Sequence, residues 1–398
     1  MRVVTPDVRS PRDEDELRAV WEMLCRAFGW KSADFERFAA GPPMDRTLAV
    51  YVDDEPVACA RIRPFGQFFG GRRIAMGGFS PVGVAPEYRG RGFGSLVTSA
   101  QYPRLRDEGE VIAGLYPATT ALYRKVGFEL SGVWGRQRIC TRELQRLPPA
   151  RHVRTRRAGE ADFSAIEACY ARVAPNTPGF LDRSRNWWDR LLTGDPTQQL
   201  YVVDGDDGAV AGYVRYRIRM QPDMNDSTID VDECIADTAE VMHALWHLVG
   251  SSSSITPHAH VVGPAEHPLL FSLSEQEYLE AKDEWRWMTR VIDARHAIAA
   301  RGFAPGLCGS VDLRVDDPQC DWNDGRWRLA IDDGEARLER GGAGDVELGI
   351  AAFSALYTGY VPARTLAGAG RLRGGSERAI ALLDAAFAGP TPWMPDFF

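Results

Sequence analysis

The 398-residue sequence has no uninterrupted apolar run approaching the ~20 residues of a helical membrane span. It has no C-x-x-C pair either. Its seven cysteines (25, 59, 140, 169, 234, 308, 320) are odd in number and scattered, which excludes a disulfide framework and a zinc knuckle. Reduced, buried thiols are the expectation. The opening Met1-Arg2-Val3-Val4-Thr5-Pro6-Asp7 lacks an apolar h-region, so no secretory signal is visible, and the chain reads as soluble and cytoplasmic. A basic excess is missing as well: 47 Lys and Arg face 55 Asp and Glu, for a net charge of −8. Such a chain has no global attraction for nucleic acid or anionic lipid, and its field weakly favours cationic ligands. What remains is a globular chain long enough, at roughly 100–200 residues per domain, for two to four domains.

Two seams are visible. Residues 141–152, Thr-Arg-Glu-Leu-Gln-Arg-Leu-Pro-Pro-Ala-Arg-His, suit a linker. Near 289–303 a helical stretch through Val291, Ile292, Ala294, Ala297 and Ile298 ends at Gly302 and leads into a third unit. The chain also repeats itself. Val8-Arg9-Ser10-Pro11-Arg12, acids and a helix through Trp21, Leu24 and Phe28 return as Val153-Arg154-Thr155-Arg156-Arg157, Glu160, Asp162 and a helix through Ile166 and Tyr170. In both copies a hairpin follows, turning at Asp53-Asp54-Glu55-Pro56 and at Asp204-Gly205-Asp206-Asp207-Gly208. The last hundred residues differ. Strands at 310–315, 327–331 and 336–338 precede helices at 350–357 and 376–387, which argues a small α+β layer.

The strongest chemical signal lies at 82–95. Val82 and Val84 alternate as a strand end, Pro86 stops the ladder, and Leu96, Val97 and Ala100 open a helix. A glycine-rich turn between a strand and a helix N-terminus offers free backbone N–H groups and a positive dipole end to phosphate. Gly90, Gly92 and Gly94 clear side chains from the approach, and Arg89 and Arg91 add charge. The P-loop is excluded because no Lys follows the last glycine, and G-x-G-x-x-G does not match.

R-x-x-G-x-G after a V-x-V strand resembles the pyrophosphate loop of the GNAT acetyltransferase superfamily. The likeness extends to Leu115-Tyr116-Pro117-Ala118-Thr119-Thr120-Ala121-Leu122-Tyr123-Arg124-Lys125-Val126-Gly127-Phe128, which is similar to that family's next strand and its Y-x-x-x-G-F. Over nearly the whole length, including Trp285–Val291, Arg301-Gly302-Phe303 and the Asp396-Phe397-Phe398 end, the chain resembles the enhanced intracellular survival (Eis) family. The resemblance implies an α/β (α+β) architecture: a catalytic GNAT domain at 1–147, a degenerate GNAT-like domain at 148–289 and a sterol-carrier-like α+β domain at 290–398. It implies acetyl-CoA as co-substrate, no metal, and contacts from Val82, Gly83, Val84, Arg89, Gly90, Arg91, Gly92, Phe93, Gly94, Ser95, Ala118 and Thr119. It makes Tyr123 the general acid and the terminal carboxylate of Phe398 the general base, in a homohexamer.

Phe28, Trp30 and Phe397 fall on the family's acceptor side. Trp30 and Phe397 stand where the family can place acids that bind aminoglycosides, so amines with apolar or aromatic bulk are expected to be preferred. In the second copy the place of the loop reads Ile229-Asp230-Val231-Asp232-Glu233-Cys234-Ile235-Ala236-Asp237-Thr238, without arginine or glycine and with four acids that would repel phosphate. His243 and His247 share a helix face without an H-E-x-x-H pattern, and His258, His260 and His267 lie in a Pro-rich loop; surface or packed histidines are expected, not zinc. The reaction expected is direct attack of a neutral primary amine on the thioester of acetyl-CoA. The acceptor is a small amine, polyamine or aminoglycoside-like molecule. A protein-lysine or N-terminal acetyltransferase, or a lipid or acyl-CoA binding module, stands as the alternative.

Overall fold

The structure is a computed structural model, which describes residues 6–148, 153–275 and 280–398. Met1–Thr5 and the 149–152 end of the expected linker lie outside the described residues. The first unit contains β1 (Asp7–Arg9), α1 (Glu14–Phe28), α2 (Phe35–Ala39), β2 (Thr47–Val52), β3 (Glu55–Phe69), β4 (Arg72–Val84), α3 (Phe93–Ser99), α4 (Tyr102–Asp107), β5 (Ile112–Leu115), α5 (Thr120–Lys125), β6 (Glu129–Cys140) and α6 (Thr141–Gln145). The second contains β7 (Arg154–Arg157), α7 (Phe163–Val173), β8 (Leu181–Asp182), α8 (Arg185–Thr193), β9 (Gln199–Asp204), β10 (Val210–Arg219), β11 (Thr228–Ala236), α9 (Ala239–Gly250), β12 (His258–Val262) and β13 (Glu280–Val291). The third contains α10 (Ala294–Ala300), β14 (Cys308–Asp316), β15 (Gly325–Asp332), β16 (Glu335–Arg340), β17 (Val346–Gly349), α11 (Ile350–Thr358), α12 (Ala363–Gly368), β18 (Leu372–Gly374) and α13 (Glu377–Phe387).

Local chemistry sets these boundaries. The Asp13 carboxylate accepts the Glu16 N–H at 2.9 Å and caps α1, whose first turn is acidic. Leu17, Val20, Trp21 and Leu24 recur at helical spacing and are buried, and the helix ends at Gly29 with φ +71°. Between β2 and β3 the expected hairpin turns on Asp53 and Asp54, both at positive φ, the geometry that matches strand twist.

The two copies share one sheet, ordered β1-β2-β3-β4-β5-β13-β6-β12-β11-β10-β9-β7, with β8 pairing β3. Strand exchange joins them. β13, from the end of the second copy, lies between β5 and β6 of the first, pairing Val291 with Ile112 on one side and Trp285 with Trp134 on the other. It runs through the seam expected at 289/290, so Val291 and Ile292 precede the helix rather than open it; α10 begins at Ala294, capped by Asp293. Residues 141–145 of the expected linker form α6 against α9, with Glu143 buried and bonded to Arg146 and Ser274. The third unit has a five-stranded sheet, β16-β15-β14-β17-β18, covered by α11 and α13. Its core is continuous with the shared sheet through Phe353 and Leu356, packed in one cluster with Phe69, Ile74 and Val291.

Candidate active site

β4 and β5 pair in parallel from Met76 and Ile112 to Gly78 and Gly114, and there the ladder ends. Beyond Gly78, β4 keeps its β3 partner to Val84 but has no strand on its other side among the described residues, which leaves an unpaired edge at 79–84. A register shift sets two residues of β4, Ser80 and Pro81, against Arg61 alone and re-aims Val82–Val84. After β4 comes the glycine loop. Gly90 (φ +78°) and Gly92 (φ +85°) adopt conformations that a side chain strains, and a Cβ at either would meet only open space. Gly94 differs. It is buried in α3, and a Cβ there would sit 2.7 Å from Leu122, so its smallness serves helix packing rather than an open approach. Arg89 reaches back to the Ala27 carbonyl at 3.0 Å, Arg91 lies over the Tyr88 ring, and Phe93 packs on Tyr88 beside half-buried Ser95.

Ala118 and Thr119 are exposed at the turn into α5. One turn further, Tyr123 is buried edge-on against Phe128, and burial pushes its hydroxyl pKa up to about 12, so it stays protonated through the neutral range. Phe28 overlies β4: a Cβ on Gly83 would meet Leu24 at 2.6 Å and the Phe28 ring at 3.0 Å. Trp30 stacks between Phe28 and Trp21.

The C-terminal segment threads between the two copies. Pro392 accepts the Val133 N–H at 2.9 Å, and the Trp393 N–H is donated to Pro178 at 3.0 Å. Asp396 is clamped by Arg183 at 3.0 Å and by the Trp187 indole at 2.6 Å; Arg183 also pairs with Glu233, which accepts the Tyr213 hydroxyl at 2.9 Å. The side chains of Arg183 and Asp396 are wholly buried. Removing one partner of a buried ion pair strands the other charge, so Asp396→Ala should cost about 3–5 kcal/mol. Urea unfolding would show a lower midpoint; an unchanged midpoint would mean that the clamp contributes nothing. Past Asp396, whose carbonyl accepts the Tyr116 hydroxyl at 3.0 Å, the last two rings separate. Phe397 lies flat on Tyr116 between Trp134 and Trp285, while Phe398 packs on Phe65 with its ring 3.0 Å from where a Gly78 Cβ would be. The terminus thus arrives where the β4–β5 ladder opens.

Beside that opening lies a cavity of ≈ 960 Å³. Trp21, Trp30, Phe38, Phe65 and Trp187 supply aromatic faces, and Ser80 and Pro81 border it immediately before Val82. Arg37, Arg63 and Arg190 line it too. Of the residues expected on the acceptor side, Trp30 lines this cavity, Phe28 stands beside it on Gly83, and Phe397 faces the Tyr116 aromatics instead.

Comparison with known proteins completes the assignment. Acetyltransferase (GNAT) domain models match residues 7–131 and 179–291, and a sterol carrier protein domain model matches 294–395. An uncharacterized N-acetyltransferase of Streptomyces coelicolor is 30% identical over 96% of this chain and 98% of its own. The chain belongs to the GNAT acetyltransferases of the Eis type. N-acetyltransferase Eis of Mycobacterium tuberculosis is 29% identical over 80% of each chain. The crystal structure of a GCN5-related N-acetyltransferase from Kribbella flavida has a TM-score of 0.87 at 36% identity, covering 99% of each chain.

In this GNAT acetyltransferase the second copy lacks the glycine loop of the first. The 229–238 segment is not a loop: it is strand β11, joined to α9 through Asp237 and Thr238 alone. Its acids do not stand free to repel phosphate. Asp230 pairs with His260 and Arg219, Asp232 with Arg217, Glu233 with Arg183 and Asp237 with Arg172. Glu233 lies past Val231, where the β11–β12 ladder ends, so the opening equivalent to the one beside β4 holds the clamp on the tail. His243 bonds Ser272 at 2.9 Å and His267 is buried, its pKa lowered by burial to about 4; no group of metal-ligating side chains occurs among the described residues. No helix among them is long and apolar enough to cross a membrane.

Sequence reasoning missed Arg37, Arg63, Phe65, Trp187 and Arg190. Trp187 and Arg190 share a face of α8 at i,i+3, but only the packing of the second copy on the first brings that face to the cavity.

Proposed function

We propose that this enzyme transfers the acetyl group of acetyl-CoA to the primary amine of a small molecule, with Tyr123 as general acid and the α-carboxylate of a terminal Phe398 as general base. The observation that carries the reading is the route of the tail, which delivers Phe398 to Gly78 at the mouth of the opened strands and beside the cavity. The amine nitrogen attacks the thioester carbon, the C–N bond forms, and the C–S bond breaks as CoA leaves. Backbone groups of Val82, Gly83 and Val84 hold the pantetheine arm and the oxyanion. Gly90 through Ser95, with Arg89 and Arg91, receive the pyrophosphate, and Ala118 and Thr119 border the arm from α5. Tyr123 gives its proton to the thiolate, and the carboxylate takes one from the ammonium.

Catalysis belongs to 1–147, and 148–289 is a silent copy. The third unit, 290–398, supplies the tail, and the assembly implied by family likeness is a homohexamer. Thiol release from acetyl-CoA over a panel of primary amines tests the reading, and amine-independent release alone would refute it. Calorimetry of the full chain should give one acetyl-CoA per chain, because Asp237 and Thr238 leave no phosphate loop between β11 and α9. A stoichiometry near two would contradict the silent copy.

A further inference from the structure

The acceptor cavity carries the opposite charge from the molecule as a whole. Arg37 from α2, Arg63 from β3 and Arg190 from α8 all line it, together with Lys31 and Asp34, which offset one another. None of the three arginines has an acidic partner within 4.0 Å among the described residues, although most arginines of this chain have one. Behind them, buried Arg61 donates to the Phe38 carbonyl at 2.5 Å and to the Pro42 carbonyl, holding the 38–42 wall without a carboxylate of its own. Burial, and then the neighbouring guanidiniums of Arg190 and Arg37, pull the Arg63 pKa down; burial and Arg37 do the same to Arg190. The groups therefore repel one another inside a partly desolvated space. Clustered guanidiniums without counter-ions are offset most directly by a bound anion, which guanidinium donors recognise through paired N–H bonds.

We infer that the acceptor is an amine bearing an anionic group, a carboxylate or phosphate, on an aromatic or apolar frame. The amine lies at the Ser80–Pro81 end, next to Val82. The anion lies among Arg37, Arg63 and Arg190, and the frame packs against Trp30, Phe65 and Trp187. A polycation is repelled by the same charges. The positive surroundings also favour the neutral amine over the ammonium, which is the form that attacks.

This inference rests on the acetyl-transfer reading, and the experiment separates the two. Initial rates would be measured with 4-(2-aminoethyl)benzoate, its carboxamide, tyramine, tyramine O-phosphate and spermidine. The carboxylate should exceed the carboxamide, or the phosphate exceed tyramine, by about tenfold or more in kcat/KM, with spermidine lowest. Which of the two anions gains more identifies the anion. Arg37→Gln and Arg190→Gln are surface-accessible changes. Each should raise KM for the anionic amine about tenfold more than KM for the matched neutral amine, with KM for acetyl-CoA at its native value. Turnover without preference for either anion overturns the inference alone. A rise confined to KM for acetyl-CoA also overturns it, by assigning the arginines to the cofactor's phosphates. No acetylation of any amine overturns the acetyl-transfer reading and this inference together.

Discussion

One glycine added after Phe398 should lower kcat by roughly 10²–10⁴ while the Kd for acetyl-CoA stays near its native value. The anchors of the tail all lie upstream of the addition: Pro392 on Val133, Trp393 on Pro178, Asp396 between Arg183 and Trp187, and its carbonyl under the Tyr116 hydroxyl. The Phe398 ring keeps its seat on Phe65. What changes is the α-carboxylate, which becomes an amide carbonyl with no useful basicity while the charge moves one residue outward. An ordinary α-carboxyl titrates near ~3.5, and the extension removes that group from the position of Phe398. Steady-state kinetics and acetyl-CoA calorimetry on the two proteins decide the matter. Native kcat in the extended enzyme across the pH range would place the base elsewhere.

Tyr123→Phe should be the other large loss, again roughly 10²–10⁴ in kcat with acetyl-CoA affinity nearly intact. The ring is the packing unit: it meets Phe128 edge-on within the core that includes Val97, Leu115 and Val126, and phenylalanine preserves that contact. Only the hydroxyl is lost. Burial holds its pKa up to about 12, which keeps the hydroxyl protonated through the neutral range. The thermal midpoint should barely move, so a fall in rate would be chemical rather than structural. Wild-type turnover in Tyr123→Phe would reduce the tyrosine to a packing residue.

Local signals explain how much the sequence disclosed. The hairpin at Asp53-Asp54 and the strand–loop–helix around Gly90 and Gly92 each have their cause within a dozen residues, so pattern and turn chemistry reveal them, whereas the short helix carrying Tyr123 was legible only through the family resemblance. The acids of β11 were visible, but their partners were not: Arg172, Arg183 and Arg217 come from other elements, and a charge looks free until its neighbour is found. β17, α12 and β18 escaped notice because a strand of four residues and a helix of six carry little periodicity. The cavity was least legible. Arg37, Arg63 and Arg190 are far apart in the chain and converge only through the packing of α2, β3 and α8.

The place of β13 in the shared sheet bears on how the protein is made. Ile112 pairs with Val291 and Trp134 with Trp285, so during synthesis the first copy leaves the ribosome with β5 and β6 lacking their common neighbour. Until the chain has emerged through Val291, those edges are open templates for any other strand, including one from a nascent copy on the same message. A late step then closes the sheet, and the tail can thread only after that. Closing the sheet of the first copy therefore waits on the second, although the first is synthesised earlier. Expression should be sensitive to whatever shields that interval: slow elongation ahead of Val291 would lengthen the exposure, and a holdase chaperone would shorten its consequences.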